Sequence, residues 1–170
     1  MNIEQNISVE KVWRLLENIY DPEIPVLSII DLGIVRDVHL IKFPSGEEGI
    51  EVIITSTYSG CPAMDVISIN IKMAILQNGF GNVKIIQQLS PAWTTDWMTE
   101  KGKEKLKAYG IAAPAGKSFD KKYLEEDLKV ECPQCRTKNT RLLSQFGSTA
   151  CKALYQCNDC KEPFDYFKCH

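Results

Sequence analysis

The sequence predicts an α+β protein, a small mixed sheet with packed helices, followed by a small metal-stapled module. Three observations carry this prediction. Apolar residues recur at helical spacing in two segments and in strand-like runs in three segments before residue 90. Their order is helix, two strands, helix, strand, the pattern of one layered domain. Six of the seven cysteines lie after residue 130, in a tail without a long periodic run.

The elements follow in chain order. Ser8 precedes VEKVWRLLENIY, in which Val9, Val12, Trp13, Leu16, Ile19 and Tyr20 repeat at helical spacing, and Ser8 is placed to cap it. DPEIP, residues 21–25, stops that helix with two prolines. IVRDVHLIKF (34–43) and IEVIITSTY (50–58) flank a PSGEEG turn and predict a hairpin. AMDVISINIKMAILQN (63–78) predicts a helix that is apolar on more than one face and therefore buried, with Gly79 and Gly81 ending it. VKIIQQL (83–89) predicts a third strand. An aromatic loop with Trp93 and Trp97 follows, the tryptophans expected as buried anchors, and then a charged helix over roughly Thr95–Tyr109. From Glu100 to Lys129, 14 of 30 residues are charged with mixed sign, which reads as solvated surface and linker.

Composition excludes several function classes. The 170 residues carry 20 Lys and Arg against 22 Asp and Glu, a formal net charge of −2. A phosphate-tracking protein usually shows a basic excess, so no nucleic-acid partner is expected. The N-terminus MNIEQNISVEKVW has no signal-peptide pattern, and no apolar run approaches the length that crosses a bilayer. A cytoplasmic location without a membrane partner is the expectation. In that reducing compartment, paired cysteines point to metal or redox chemistry rather than structural disulfides.

The tail holds Cys132-Pro-Gln-Cys135 and Cys157-Asn-Asp-Cys160, with 21 residues between the pairs. Each C-x-x-C lets two thiolates face one point, and two such pairs complete a tetrahedral site, as in four-cysteine zinc ribbons. The separation is slightly longer than usual, and a longer hairpin loop at QFGST absorbs the difference. A forty-residue tail needs such a staple to fold. Iron on the same four sulfurs and a dithiol at CPQC are the alternatives; the second needs a βαβ context that the tail lacks. Cys151 is expected as a buried small residue, and Cys169-His170 as a frayed end.

Cys61 stands alone in TSTYSGCPAMDV (55–66). With Pro62 at the first helical position, Cys61 falls at the N-cap, where amide N–H groups and the helix dipole favour thiolate and lower the pKa below about 8.5. Such a sulfur ligates a metal or attacks an electrophile. A buried structural cysteine is the other reading. His39 lies mid-strand and His170 at the terminus, so no Cys–His pair is evident. Asp21 and Glu23 in DPEIP, Asp31 in DLG, and Thr57 are candidates to shape a site at Cys61; Asp21 is equally a turn former. No catalytic set appears. Neither histidine lies three residues after a glutamate, so a di-iron carboxylate site cannot be built, and no Rossmann glycine motif is present.

DPEIP (21–25), DLGIV (31–35) and T-x-x-x-C-P (57–62) resemble the MIP18 family, once called domain of unknown function 59, over roughly residues 8–90. That resemblance implies participation in iron–sulfur protein assembly, with Cys61 as the functional thiolate. LSPAWTTDWMTEKGKEKL (89–106), YGIAAP (109–114) and the cysteine-rich tail resemble, over nearly the whole chain, the family of D components of the phenylacetyl-CoA epoxidase system. Ser56 stands where many relatives carry proline. The implied organisation is a MIP18-like α+β domain at 1–110, a charged linker at 111–129 and a zinc ribbon at 130–170. The implied role is that of an accessory, non-catalytic component in aerobic phenylacetate degradation. It would assist assembly or repair of an iron–sulfur or di-iron centre, with structural zinc and a transiently held iron or cluster. The implied partners are the epoxidase reductase or di-iron subunit and, as a further hypothesis, a second copy of the chain. A scaffold role with a structural Cys61 is the alternative.

Overall fold

In the computed structural model, which describes residues 8–114 and 129–168, Ser8 starts the first helix as the sequence requires. Its Oγ accepts the Lys11 N–H at 3.2 Å, capping helix α1, Val9–Leu16. The helix ends four residues before the apolar spacing does. The amides of Asn18 and Ile19 bond carbonyls three residues back, tightening the last turn, and Tyr20 pairs with Ser28 in an isolated bridge.

The predicted hairpin is present. Strands β1 (Val35–Lys42) and β2 (Glu48–Ile54) pair antiparallel, with Val38 opposite Val52 and a bulge between Val35 and Asp37. Gly46, at φ +86°, makes the tight turn between them. β2 stops at Ile54 rather than running to Tyr58. The Thr55 N–H bonds Ile34 O and the Gln88 N–H bonds Ile54 O, after which the chain leaves the sheet. Helix α2, Ala63–Gln77, carries the chain across to β3, Val83–Gln87, which pairs parallel to β2. β2 is thus the central strand of three. At the start of β2, Asn82 bonds the Glu47 carboxylate at 2.9 Å, and its carbonyl accepts the Ile50 N–H.

One face of α2 fills the core. Ile67, Ile71 and Ile75 are fully buried with Ile50, Val52 and Ile54 of β2 and Leu16 of α1. The opposite face is exposed at Val66, Ile69, Met73 and Leu76. The sequence expectation of a helix buried all round therefore holds for one face only. A three-stranded sheet and one short helix do not supply enough surface to wrap both. Trp93 is buried as an anchor: its indole N–H donates to Leu32 O at 2.9 Å. Trp97 is half-buried.

By contacts the chain separates into two compact units, Met1–Trp93 and Thr94–His170. In the second, Thr95–Trp97 form one 3-10 turn, and helix α3 spans Glu100–Tyr109 rather than starting at Thr95. Thr99 decides the start, its hydroxyl accepting the Gly102 N–H at 2.9 Å, and Gly110 at φ +93° ends the helix. Strands β4 (Thr140–Ser144), β5 (Lys152–Cys157) and β6 (Pro163–Phe167) form an antiparallel sheet in that order. The expected long loop falls between β4 and β5. Within it a Cβ at Gly147 would lie 2.5 Å from Asp165 Oδ1, so a larger residue there would have to displace that carboxylate. Asp165 also accepts the Ser148 hydroxyl at 2.8 Å and pairs with buried Lys152 at 3.7 Å. Most of the expected linker, residues 115–128, and the terminal Cys169-His170 lie outside the described residues. No described helix is long and apolar enough to cross a membrane.

Replacing Trp93 with Phe keeps most of the buried area but leaves Leu32 O without this donor. Denaturant unfolding monitored on α2 should show a loss of about 1–3 kcal/mol.

Candidate functional site

The two C-x-x-C pairs lie on matching turns. Cys132-Cys135 precede β4, and Cys157-Cys160 join β5 to β6. The turns repeat one bond: the Cys132 N–H donates to Thr137 O and the Cys157 N–H to Glu162 O, each at 2.9 Å. The residue after each second cysteine, Arg136 (φ 65°) and Lys161 (φ 66°), is left-handed. That conformation turns the chain back over the sulfurs, and the Cys160 N–H approaches Cys157 Sγ at 3.4 Å.

All four Sγ atoms lie within 4.8 Å of one another. Cys132 and Cys160 sulfurs are 3.7 Å apart, and Cys135 and Cys157 sulfurs 3.5 Å. A regular tetrahedron with Zn–S bonds of 2.3 Å has sulfur–sulfur edges of about 3.8 Å, so the donor set fits such an ion. Charge makes the same point. Burial opposes ionisation of Cys157, but amides of Cys160 and Asp159 and neighbouring thiols outweigh it and lower it to about 7. At Cys160 the Glu162 amide favours thiolate, yet desolvation and the other sulfurs push it up to about 12. At neutral pH and without a cation, Cys160 therefore stays protonated beside a partly ionised Cys157. Cys132 and Cys157 also belong to the hydrophobic cluster of this unit, with Ala112, Val130, Tyr155, Phe164 and Tyr166. Tyr155 packs on Phe164 and edge-on to Tyr166. Cys151 stays outside the sulfur cluster; it is buried, with the Thr149 hydroxyl 3.0 Å from its sulfur.

The loop after β2 holds the other candidate. Pro62, not Cys61, is the N-cap of α2, and Cys61 stands just before it, half-buried. The expected fall in its pKa is not what the surroundings produce. Burial pushes the Cys61 thiol up; the Ala63 amide and the Tyr58 hydroxyl favour thiolate; Glu23 and then Asp21 oppose it with their negative charge. Desolvation wins, and the thiol lies above its ordinary value. An N-cap argument counts the dipole and the amides and misses this burial.

The structure brings Asp21 and Glu23 to Cys61 and adds Tyr58, which sequence reasoning did not single out. A hydroxyl three residues before the cysteine in a tight loop was the available signal. Asp21 is buried, and its Oδ1 accepts the N–H groups of Glu23 and Ile24, both at 2.8 Å. Asp31 accepts the Ser28 N–H at 3.1 Å while Ser28 Oγ accepts the Asp31 N–H at 3.1 Å. Both aspartates thus build turns. Thr57 is half-buried in the Cys61 loop.

Comparison with known proteins follows these two regions. Residues 9–85 match the family model "Iron-sulfur cluster assembly protein", and residues 117–168 match the "PaaD zinc beta ribbon domain". A protein of Escherichia coli (strain K12), provisionally named as the D component of 1,2-phenylacetyl-CoA epoxidase, is 52% identical over 161 residues, 95% of this chain and 93% of its own. The "Fe-S protein maturation auxiliary factor" of Porphyromonas gingivalis (strain ATCC BAA-308 / W83) is 36% identical over 103 residues, 59% of this chain and 92% of its own. Among solved structures, a domain of unknown function DUF59 from Bacillus anthracis is 24% identical, covers 57% of this chain and 89% of its own, and superposes with a TM-score of 0.49.

Two outcomes are expected. Stripping the metal with a chelator under reducing conditions should abolish amide protection across β4–β6, since a structural ion supplies about 10–16 kcal/mol of apparent binding energy to such modules. Peptide-resolved alkylation at Cys61 should be slow at neutral pH and rise about tenfold per pH unit, because only the thiolate reacts and its pKa is raised. Glu23→Gln removes an opposing charge, so alkylation at a fixed pH near 8 should become faster; an unchanged or slower rate would contradict the electrostatic account.

Proposed function

The chain belongs to the family of 1,2-phenylacetyl-CoA epoxidase D components, and from that membership we propose that it serves the epoxidase as an accessory maturation factor. In this reading it assists assembly or repair of an iron–sulfur or di-iron centre and does not itself epoxidise the substrate. The match of its first half to an iron–sulfur cluster assembly model supports the reading.

The observation that carries it is electrostatic. Two carboxylate charges act on a half-buried sulfur at Cys61. A nucleophilic cysteine needs the opposite arrangement, with cations or amides lowering its pKa. Burial, the largest cause, keeps the thiol protonated, and the smaller negative charge of Glu23 and Asp21 beside it attracts a cation, which can displace the proton and take the sulfur as ligand. Cys61 is therefore the residue that transiently holds the iron or cluster being delivered, with Asp21, Glu23 and Tyr58 setting the local field. A single sulfur per chain leaves the coordination incomplete, as a cargo site requires. The four-cysteine ribbon holds zinc as a structural ion through Cys132, Cys135, Cys157 and Cys160 and offers a surface for the client, the reductase or di-iron subunit. The protein works in the cytoplasm.

A scaffold role is the second reading. It is favoured by Asp21 and Asp31, whose carboxylates already serve turn amides. Protein purified without oxygen, with and without Cys61→Ala, separates the two. Maturation predicts zinc near one per chain in both forms, with retained iron lower by about tenfold or more in the variant, and client binding without client activation. Equal support of epoxidation by the variant would sink the maturation role of Cys61 and leave the scaffold.

A further inference from the structure

The end of α3 and the first C-x-x-C turn border a cavity of about 170 Å³. Four exposed cations line it, Lys107, Lys129, Arg136 and Lys138, against the carboxylate of Glu131. This local excess of three positive charges runs against the chain as a whole, whose formal net charge is −2. Glu131 is already engaged, 3.5 Å from the Arg136 guanidinium. Lys107, Lys129 and Lys138 have no carboxylate partner among the described residues. Lys107 and Lys129 belong to the mixed-charge run that reads as solvated surface in the sequence, and the fold gathers them beside the ribbon.

The cations stand on a fixed frame. The Ala112 N–H donates to Asp165 O at 2.8 Å and the Ala112 carbonyl accepts the Phe167 N–H at 2.9 Å, tying the chain after α3 to β6. On the other wall, Val130 O accepts the Thr140 hydroxyl at 2.6 Å, and the Arg136 N–H donates to Cys132 O at 3.0 Å. Backbone movement is thus barred as a way of relieving the repulsion among these cations, and an anion between them relieves it directly.

Size and charge select the anion. The cavity is smaller than the roughly 300–1,000 Å³ sites that enclose a drug-sized ligand, so it takes a charged group rather than a whole ligand. A carboxylate brings one negative charge and leaves most of the excess uncompensated. A phosphoryl group brings about −1.5 to −2 and three acceptor oxygens. Ammonium groups bind phosphate as point charges, and a guanidinium adds a planar fork. We propose that this cavity is a binding site for the phosphoryl groups of a small ligand, held by Lys107, Lys129 and Lys138 with Arg136 at the edge. One such locus on an acidic chain is not the basic stripe that tracks a nucleic-acid backbone. The site is independent of the role given to Cys61, which belongs to the other compact unit.

Isothermal titration calorimetry of the full zinc-loaded chain with ADP, pyrophosphate and inorganic phosphate tests this. In about 20 mM salt, ADP or pyrophosphate should bind with a Kd on the order of 0.1–1 mM, and about 150 mM salt should weaken it severalfold. ADP binding tighter than pyrophosphate identifies an ester as the ligand, its carbon skeleton on the apolar wall of Pro114 and Pro133. Equal affinities identify the inorganic anion. Lys107→Gln/Lys138→Gln should weaken binding about tenfold or more, and Glu131→Gln, which removes the carboxylate from Arg136, should tighten it about two- to fivefold. Lys101→Gln, at an exposed lysine of α3 outside the cavity, should change nothing. None of these side chains is buried, so zinc content should remain that of wild type. Failure of all three anions to bind below about 5 mM overturns the proposal. So does a loss with Lys101→Gln equal to that of the double variant, which marks general attraction to basic surface. A short glutamate peptide that binds as tightly as pyrophosphate also overturns it, and makes the cavity a seat for an acidic protein segment.

Discussion

Four sulfurs gathered within 4.8 Å are an electrostatic problem that only a cation resolves, and the second unit is organised around that fact. Amides and neighbouring thiols bring Cys157 down to about 7, whereas desolvation and the other sulfurs push Cys160 up to about 12. A divalent ion turns mutual repulsion into shared attraction. Because Cys132 and Cys157 are also core residues, packed with Tyr155, Phe164 and Tyr166, the ion and the hydrophobic core are one structure. This explains how three strands of five or six residues can hold together. Their apolar area is too small for independent stability.

The first unit rests on burial instead. β2 lies between β1 and β3, and one face of α2 completes its cover. The turns that lead into the sheet are fixed by side chains rather than by metal. Asp21 and Asp31 each satisfy amides that burial would otherwise orphan, and Trp93 does the same for a carbonyl. The charge that Asp21 contributes to the surroundings of Cys61 is therefore not free to vary: removing it also opens a turn. A structural role and an electrostatic role reside in one carboxylate.

Much of this was legible in the sequence, and the exceptions share a cause. Ser8, the hairpin glycine, the span of α2 and the paired cysteines are local signals, and local signals suffice where a cap, a turn or a metal spacing decides. The end of α1 and the start of α3 were misplaced because hydrogen bonds that apolar spacing does not reveal decided them, the bridge of Tyr20 to Ser28 and the hydroxyl of Thr99. Tyr58 and the direction of the Cys61 shift were missed for a related reason. Desolvation is a property of everything packed around a sulfur, and no spacing rule counts it. The exposed side of α2 escaped because hydrophobicity on two faces says that both want cover, not that the chain itself provides it.

The sheet of the first unit also has two unlike ends. At one, the hairpin turn is stitched by Asn82 to Glu47 and to Ile50, and Gly49 lies so close to Phe43 and Asn82 that no side chain fits. At the other, β2 and β3 release the chain into the segments that carry Cys61 and Trp93. The first end fixes strand register, and little there can change without disturbing every pair in the sheet. The second can be resculpted while the frame stays intact, as in open sheets where ligands gather at the carboxyl ends of strands. Substitution can reshape the surroundings of Cys61 by editing one rim and leaving the other alone.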